Sequence, residues 1–526
     1  VSSGKVHSVF PNSTDADFQF NRDSDATRVN SKGLIERVGY YGSEEITNGN
    51  FDTDTSSWFG DSGASLTWQS NKSVLVATTD DATFGIAQGS VLTSGKTYRV
   101  SFRFKPNNTT TFRVRLGASG SGQFSTTSFT LNEWNDVDFV GVANGTTFEI
   151  GTVGGSISNF YLDNVSVKEI TGDRARLNYE IEGGLVNTKP SLLLEPQRTN
   201  ALTYSNDFAN SAYTKDSDSI NTSIGTDGVE SNVAVSPEGI VNASRVNFIL
   251  NSDTDTGLRE AISSSSGVTH SLSIYFKGEG GNIGKQIKIK LKRSSGGSFV
   301  GTTLTFTLTN QWQRAVVDPL TLISGNTGAL LVISSNDATS CLIYGAQLEV
   351  GSYPTSYIPT NGSTQTRAAE TCNGAGTSSI LPSVDGILYA EISTKNDGNN
   401  KFLSINTGSN SFRITIYFFT SSNTDITTQV YNSSQQYAQA ASGIEISNFN
   451  KIAVFFKANQ FKTFINGNQI GSTDTSGTVP TGLNQISFDN GSGADNFYGK
   501  IRDIRVYNTK EMTDSEVDIL LTKITS

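Results

Sequence analysis

Tyr98-Arg99-Val100-Ser101-Phe102-Arg103-Phe104 alternates apolar and polar side chains at every step. A period of two sends alternate side chains to opposite faces, so the stretch reads as a β-strand with one face buried and one wet. Phe112-Arg113-Val114-Arg115-Leu116 repeats the pattern, and Ser271-Leu272-Ser273-Ile274-Tyr275-Phe276-Lys277 carries it in the second half. The composition agrees. With 51 glycines and only 17% charged residues, the chain favours strands and tight turns over helices, which need longer runs of Ala, Leu, Glu and Lys. At 526 residues it is too long for one core, and ~100–200 residues per domain suggests three or four units.

The formal net charge of -10 argues against nucleic acid as a partner, because phosphate binding needs a concentrated Lys/Arg surface. Cys341 and Cys372 are the only cysteines and stand in no metal-ligand spacing, so neither a disulfide framework nor a zinc site is expected. No run approaches the ~18 apolar residues of a membrane span. Val1-Ser2-Ser3-Gly4 lacks the features of a signal peptide, and the missing initiator Met is expected of a trimmed or incomplete start, so the sequence does not decide export. Catalysis finds little support. His7 and His270 are the only histidines, no nucleophile elbow or phosphate loop is visible, and Glu391 stands alone where a glycosidase would carry paired carboxylates.

Four motifs punctuate the strand pattern: Pro190-Ser191-Leu192-Leu193-Leu194-Glu195-Pro196-Gln197-Arg198-Thr199-Asn200, Gly345-Ala346-Gln347-Leu348-Glu349, Tyr357-Ile358-Pro359-Thr360 and Thr366-Arg367-Ala368-Ala369-Glu370-Thr371-Cys372. They resemble motifs of multidomain tailed-phage virion proteins, the tail and head fibres that end in lectin-like domains. The resemblance implies a place on the virion exterior, host-surface glycans and other virion proteins as partners, and a homotrimer. The trimer rests on the family alone, since no heptad seam is visible. In such proteins a lead-in like 16–36 is soon followed by a segment like Ala175-Arg176-Leu177-Asn178-Tyr179. Here the two are far apart, so 46–170 is expected to be a domain inserted into a small collar made of 1–45 and 171–200.

The insert opens with Asn48-Gly49-Asn50-Phe51-Asp52 and closes with Phe160-Tyr161-Leu162-Asp163-Asn164-Val165-Ser166-Val167, ends that resemble jelly-roll carbohydrate-binding modules. Sugar binding needs aromatic faces for stacking, and the candidates are Trp68, Phe84, Tyr98 and Trp134. Trp58, Phe102, Phe104 and Trp134 read first as core at their strand spacings, whereas Trp68 and Phe84 lie in more polar contexts. The resemblance also implies a structural Ca²⁺ held by Asp52 and Asp163 with main-chain oxygens near Asn50, against the alternative that these residues only make Asx-turns. Residues 201–368 read as a second, diverged copy of the jelly roll.

Residues 369–526 resemble a concanavalin-like (laminin-G-like) sandwich. Its Asn466-Gly467 turn is a strong hairpin signal, and Asp489, Asn490 and Asp495 could offer oxygens to Ca²⁺ or ligand at its loop rim. Thr513 and Glu516 have capping-box spacing for a short terminal helix. The expected architecture is therefore all-β: tandem antiparallel β-sandwiches, two jelly rolls and one concanavalin-like, with a small collar and a short C-terminal helix. The expected function is a non-catalytic adhesin for host-surface glycans. Two alternatives stay open, a structural capsid decoration or spacer protein and a secreted bacterial polysaccharide-binding or polysaccharide-degrading protein.

Overall fold

The computed structural model describes residues 5–6, 17–22, 24–61, 63–78, 85–108, 112–117, 124–126, 131–152, 159–172, 175–182, 185–251, 255–295, 298–325, 328–382, 384–419 and 425–526. Among the described residues the paired strands are antiparallel, and they build three two-layer sandwiches with one α-helix, Asp514–Thr525, and one short 3-10 turn, Gly280–Asn282.

In the first sandwich, Thr97–Pro106 runs between Asn135–Val142 and Asn159–Gly172, and Ser73–Ala77 and Ser65–Gln69 extend the sheet. Strict alternation along Thr97–Pro106 buries Tyr98, Val100, Phe102 and Phe104 and leaves the arginines outside. The facing sheet orders Phe124–Thr126, Phe112–Leu116, Phe148–Thr152, Ile86–Gln88 and Phe59–Gly60. The inner faces meet in one core with Val114, Phe148 and Ile150.

The second sandwich repeats this plan, apart from the extra strand Tyr40–Glu44 that pairs with Asn159–Gly172 in the first. Gln313–Thr321, Thr269–Lys277, Ser340–Val350, Val241–Asn247 and Val229–Val235 form one sheet, and Ser298–Thr307, Gln286–Ser295, Gly328–Ser334, Leu258–Ser263 and Thr214–Lys215 the other. The two copies share strand order, which shows the repeat more clearly than their sequences do.

The third sandwich takes strands from three parts of the chain. Phe18–Asn21 pairs with Thr371–Ala375, placing Phe20 opposite Cys372, and Ser191–Leu194 pairs with Gly499–Asn508, placing Leu192 opposite Ile501. Phe18, Phe20, Leu192 and Leu194 enter the same core as Ile405, Ile416 and Phe456. The segments 1–45 and 171–200, expected to form a collar, thus supply edge strands to both sheets of this sandwich. Short strands with alternate buried aromatics cannot stand alone, and here the sheets of 371–508 complete them. The terminal helix docks Val517 and Leu521 on the outer face, against Ile387, Ala453 and Phe455. Thr513 caps it in a reciprocal capping box with Glu516.

Where the sandwiches meet, Arg22, Arg176 and Arg367 are buried with Glu195 and Glu370. Ser356 completes the cluster, donating from its backbone N–H and its hydroxyl to Glu195 at 2.8 and 2.7 Å. Cys341 and Cys372 are buried free thiols whose burial raises their pKa, consistent with inert packing.

Candidate functional site

The outer face of the five-stranded sheet in the first sandwich carries an exposed aromatic ring, Phe59. In Phe112–Leu116, Val114 and Leu116 point into the core, so Arg113 and Arg115 point out. In Phe148–Thr152, Phe148 and Ile150 are buried, which turns Glu149 and Gly151 outward. The cross-strand register then aligns Phe59, Ala87, Glu149 and Arg115 in one row over four strands. Phe59 is 48% exposed, while Trp58 beside it is buried with its Nε1 donating to the Asn48 carbonyl at 3.0 Å. Arg115 Nη1 lies 3.3 Å from Glu149 Oε2, both side chains largely covered. Burial raises the Glu149 pKa, Arg115 opposes the shift, and Asp61 adds to it. Ala87 and Gly151 on this face are buried, so its accessible part is the Phe59 ring with the partly covered Arg115 and Glu149 beside it, a ring that can stack on the apolar face of a pyranose next to a charged donor and acceptor for its hydroxyls.

The aromatic residues singled out from sequence do not form one platform. Tyr98 is 1% exposed and its hydroxyl accepts the Thr93 N–H at 2.9 Å, so it is a core residue that no ligand reaches. Trp134 lies on the opposite sheet under Arg103, whose guanidinium carbon is 4.9 Å from the ring centroid. Trp68 is exposed on the edge strand of that sheet, with its Nε1 donating to the Phe51 carbonyl at 2.7 Å. Phe84 lies outside the described residues. Phe59 was not among the sequence candidates. Its signal is the same period of two: once Trp58 is assigned to the core, its neighbour must face out.

Asn50 and Asp52 line a cavity of about 350 Å³ where the turn 46–52 packs on 164–166, and Asp163 lies outside that lining but close enough to feel the charge of Asp52. The backbone N–H of Val165 donates to the Gly49 carbonyl at 2.9 Å, and a Cβ at Gly49 would stand 2.0 Å from the Val165 oxygen, so only glycine fits. Asp52 pairs with Lys72 at 2.8 Å, both exposed. Asp163 accepts the Asn164 N–H at 2.7 Å, and its pKa is raised by burial and further by the negative charge of Asp52. Two carboxylates fall short of the six to eight oxygens a Ca²⁺ ion takes. The carbonyls of Asn48, Gly49 and Phe51 already accept hydrogen bonds but each keeps a second lone pair. Among the described residues no three His, Cys, Asp or Glu side chains cluster at metal-binding distance.

At the rim of the third sandwich, Asp489 is buried and accepts from Asn373 at 2.8 Å and from the Gly491 N–H at 2.6 Å. Asp495 accepts from Asn490 at 2.9 Å. These bonds close the turn 489–495 on itself. His270 is buried with Nε2 2.8 Å from Ser264 Oγ, and Glu391 faces Arg502 at 3.7 Å. On the second sandwich, the face equivalent to the Phe59 row carries buried Lys290 and Lys292, the latter paired with Asp255.

Residues 388–518 match the family model of the concanavalin A-like lectin/glucanases superfamily, Laminin_G_3. The C-terminal sandwich is a concanavalin-like, laminin-G-like domain. No curated protein matches the chain. Among solved structures, the CBM22-1-CBM22-2 tandem domain of Paenibacillus barcinonensis Xyn10C is 12% identical, covers 60% of this chain and 98% of its own, and has a TM-score of 0.23. The Ruminococcus gnavus IT-sialidase CBM40 bound to alpha2,3 sialyllactose is 19% identical over 26% of this chain and 83% of its own, at a TM-score of 0.22. Domains LG4-5 of the mouse laminin alpha1 chain are 11% identical over 48% and 88%, at 0.20. The match at 388–518 omits the strands that 18–21 and 191–194 add to this laminin-G-like domain.

Proposed function

We propose that the chain is a non-catalytic glycan-binding protein and that the outer face bearing Phe59 in the first sandwich is its sugar platform. The observation that carries this reading is the exposed Phe59 ring, set by register in one row with the largely covered Arg115–Glu149 ion pair across the buried Ala87. Carbohydrate recognition combines these elements: apolar stacking fixes the ring, and bidentate polar groups read the hydroxyls. The laminin-G-like domain and the repeated sandwich are compatible with several binding faces on one chain, which would gain avidity on a repetitive surface polymer.

The motifs at 190–200, 345–349 and 366–372 supply the setting in this proposal, an appendage on the outside of a virion whose targets are host-surface glycans and whose neighbours are other virion proteins in a homotrimer. Ca²⁺ belongs to the same proposal, at Asp52 and Asp163 with main-chain oxygens near Asn50, where a cation would offset the repulsion between the two carboxylates. A glycan array probed with the intact chain, with the supernatant assayed for released sugars, tests the reading. Bound glycan without cleavage is the expected result. A blank array on folded protein would favour a spacer, and released oligosaccharide would favour a degrading enzyme.

A further inference from the structure

A cavity of about 480 Å³ lies at the junction of the second and third sandwiches, within the range of small-ligand sites. Trp312 lines it from the second sandwich and is fixed by its Nε1 donating to the Val235 carbonyl at 2.9 Å. Tyr275 and Tyr353 add aromatic wall, the first under Arg314 at 5.5 Å and the second under Lys395 at 5.5 Å from ring centroid.

The charge of the lining runs against that of the chain. With a net charge of -10 overall, cations are scarce, yet Arg314, Lys395 and Lys500 converge here from two sandwiches. The acidic side chains of the lining are already matched. Glu180 holds Lys500 at 2.6 Å, and Glu195 sits in the buried cluster with Arg176 and Arg367. Among the described residues neither Arg314 nor Lys395 has a carboxylate at ion-pair distance. Arg314 donates from Nη2 to Ser273 at 2.8 Å and keeps a buried Nε without a partner. The Lys395 side chain is exposed as a whole, but desolvation of its ammonium, followed by the charges of Lys500 and Arg314, lowers its pKa. Like charges held this close are a cost in an empty cavity and an asset when an anion enters.

We propose that this cavity binds a sugar that carries a carboxylate, a uronic or sialic acid unit, with its ring against Trp312 and its carboxylate between Lys395 and Arg314. A neutral sugar would find the aromatic wall but leave the cations unmatched, and a simple anion would find the cations without the wall. The site is separate from the Phe59 face and does not depend on it.

The four tryptophans separate the two sites, since Trp58, Trp68 and Trp134 belong to the first sandwich and Trp312 to the second. The test is fluorine NMR of the full chain labelled with 5-fluorotryptophan, with the Trp312 resonance assigned by Trp312→Phe and titrated with glucuronic acid, N-acetylneuraminic acid and methyl glucoside. The proposal expects at least one acid to shift the Trp312 resonance in a saturable way. It expects methyl glucoside to be weaker by about tenfold, which is about 1.4 kcal/mol. Lys395→Gln and Arg314→Gln should each weaken the acid by a similar factor, the first with little risk to folding because the side chain is exposed. A silent Trp312, equal binding of acid and neutral sugar, or unchanged affinity in both variants would overturn it. Shifts confined to the first-sandwich tryptophans would overturn it while leaving the Phe59 reading intact.

Discussion

Arg176 meets Glu370 side-on, with Nε donating to Oε1 at 2.8 Å and Nη2 to Oε2 at 2.5 Å, across 194 positions of sequence. Both are buried, and the pair is the centre of a cluster. Arg22 donates to the same Glu370 oxygen at 2.9 Å, Arg176 reaches Glu195 at 2.8 Å, and Arg367 lies 3.0 Å from Glu195. Every arginine and glutamate in this cluster comes from a segment that interrupts the strand pattern: the lead-in, the segment after the insert, and the two motifs around 195 and 370. Those segments are where the sandwiches are tied together.

Removing one partner should therefore be costly. Glu370→Ala leaves two buried guanidinium groups under-compensated, and a loss of about 3–5 kcal/mol is expected for breaking a buried pair. Calorimetry of the third sandwich's transition measures it. A loss below about 1 kcal/mol, the scale of an exposed pair, would show that the cluster does not hold the junction.

Acid should act through Glu195. Burial alone would raise its pKa, but Arg367, Arg176 and the hydrogen bonds from Ser356 and Arg176 outweigh burial and hold it well below the usual carboxylate range. A depressed carboxylate contributes stability that is complete above its unfolded value of about 4.3 and is lost as pH falls toward the folded value. The Tm gap between the wild type and Glu195→Gln should shrink as pH drops from neutral through that range. A gap that stays constant would contradict the linkage.

Calcium should raise the thermal stability of the first sandwich. An ion bound at Asp52 and Asp163 must displace Lys72 from Asp52, and at about a hundredfold excess over its Kd it would add about 2.7 kcal/mol. Melting with calcium and with a chelator, on the wild type and Asp163→Asn, is the check. Identical curves in all four conditions would remove Ca²⁺ from the account.

The terminal helix offers a local test. Thr513 accepts the Glu516 N–H and its own N–H donates to Glu516 Oε2 at 2.8 Å, so Thr513→Ala should cost about 0.5–2 kcal/mol. Hydrogen exchange of the helix should rise accordingly, with little change in the sheet under Val517. Unchanged helix protection would mean that docking, not the cap, holds it.

Sequence alone revealed much of this fold because sandwich strands write their burial into a period of two: Thr97–Pro106 alternates without a break. The capping box was legible for a similar reason, since both partners lie within one turn. The collar was not. Phe18 and Phe20 announce a strand with one buried face, but nothing local says that its partner is Thr371–Ala375. The arginine cluster was invisible as a cluster, because Arg22 and Glu370 stand 348 positions apart and charged residues carry no periodic signal of burial. At the candidate site, aromatic type pointed to Trp68, Tyr98 and Trp134, while exposure and register, which composition does not encode, selected Phe59.

The most direct test of the central claim is titration of the wild type and Phe59→Ala with the strongest glycan from the array, by calorimetry on the intact chain. Phe59 is exposed and outside the core, so its removal should leave the melting temperature unchanged. Affinity should fall by at least about tenfold, about 1.4 kcal/mol, with folding intact. Equal affinity in the two proteins would contradict the assignment of that face as the sugar platform.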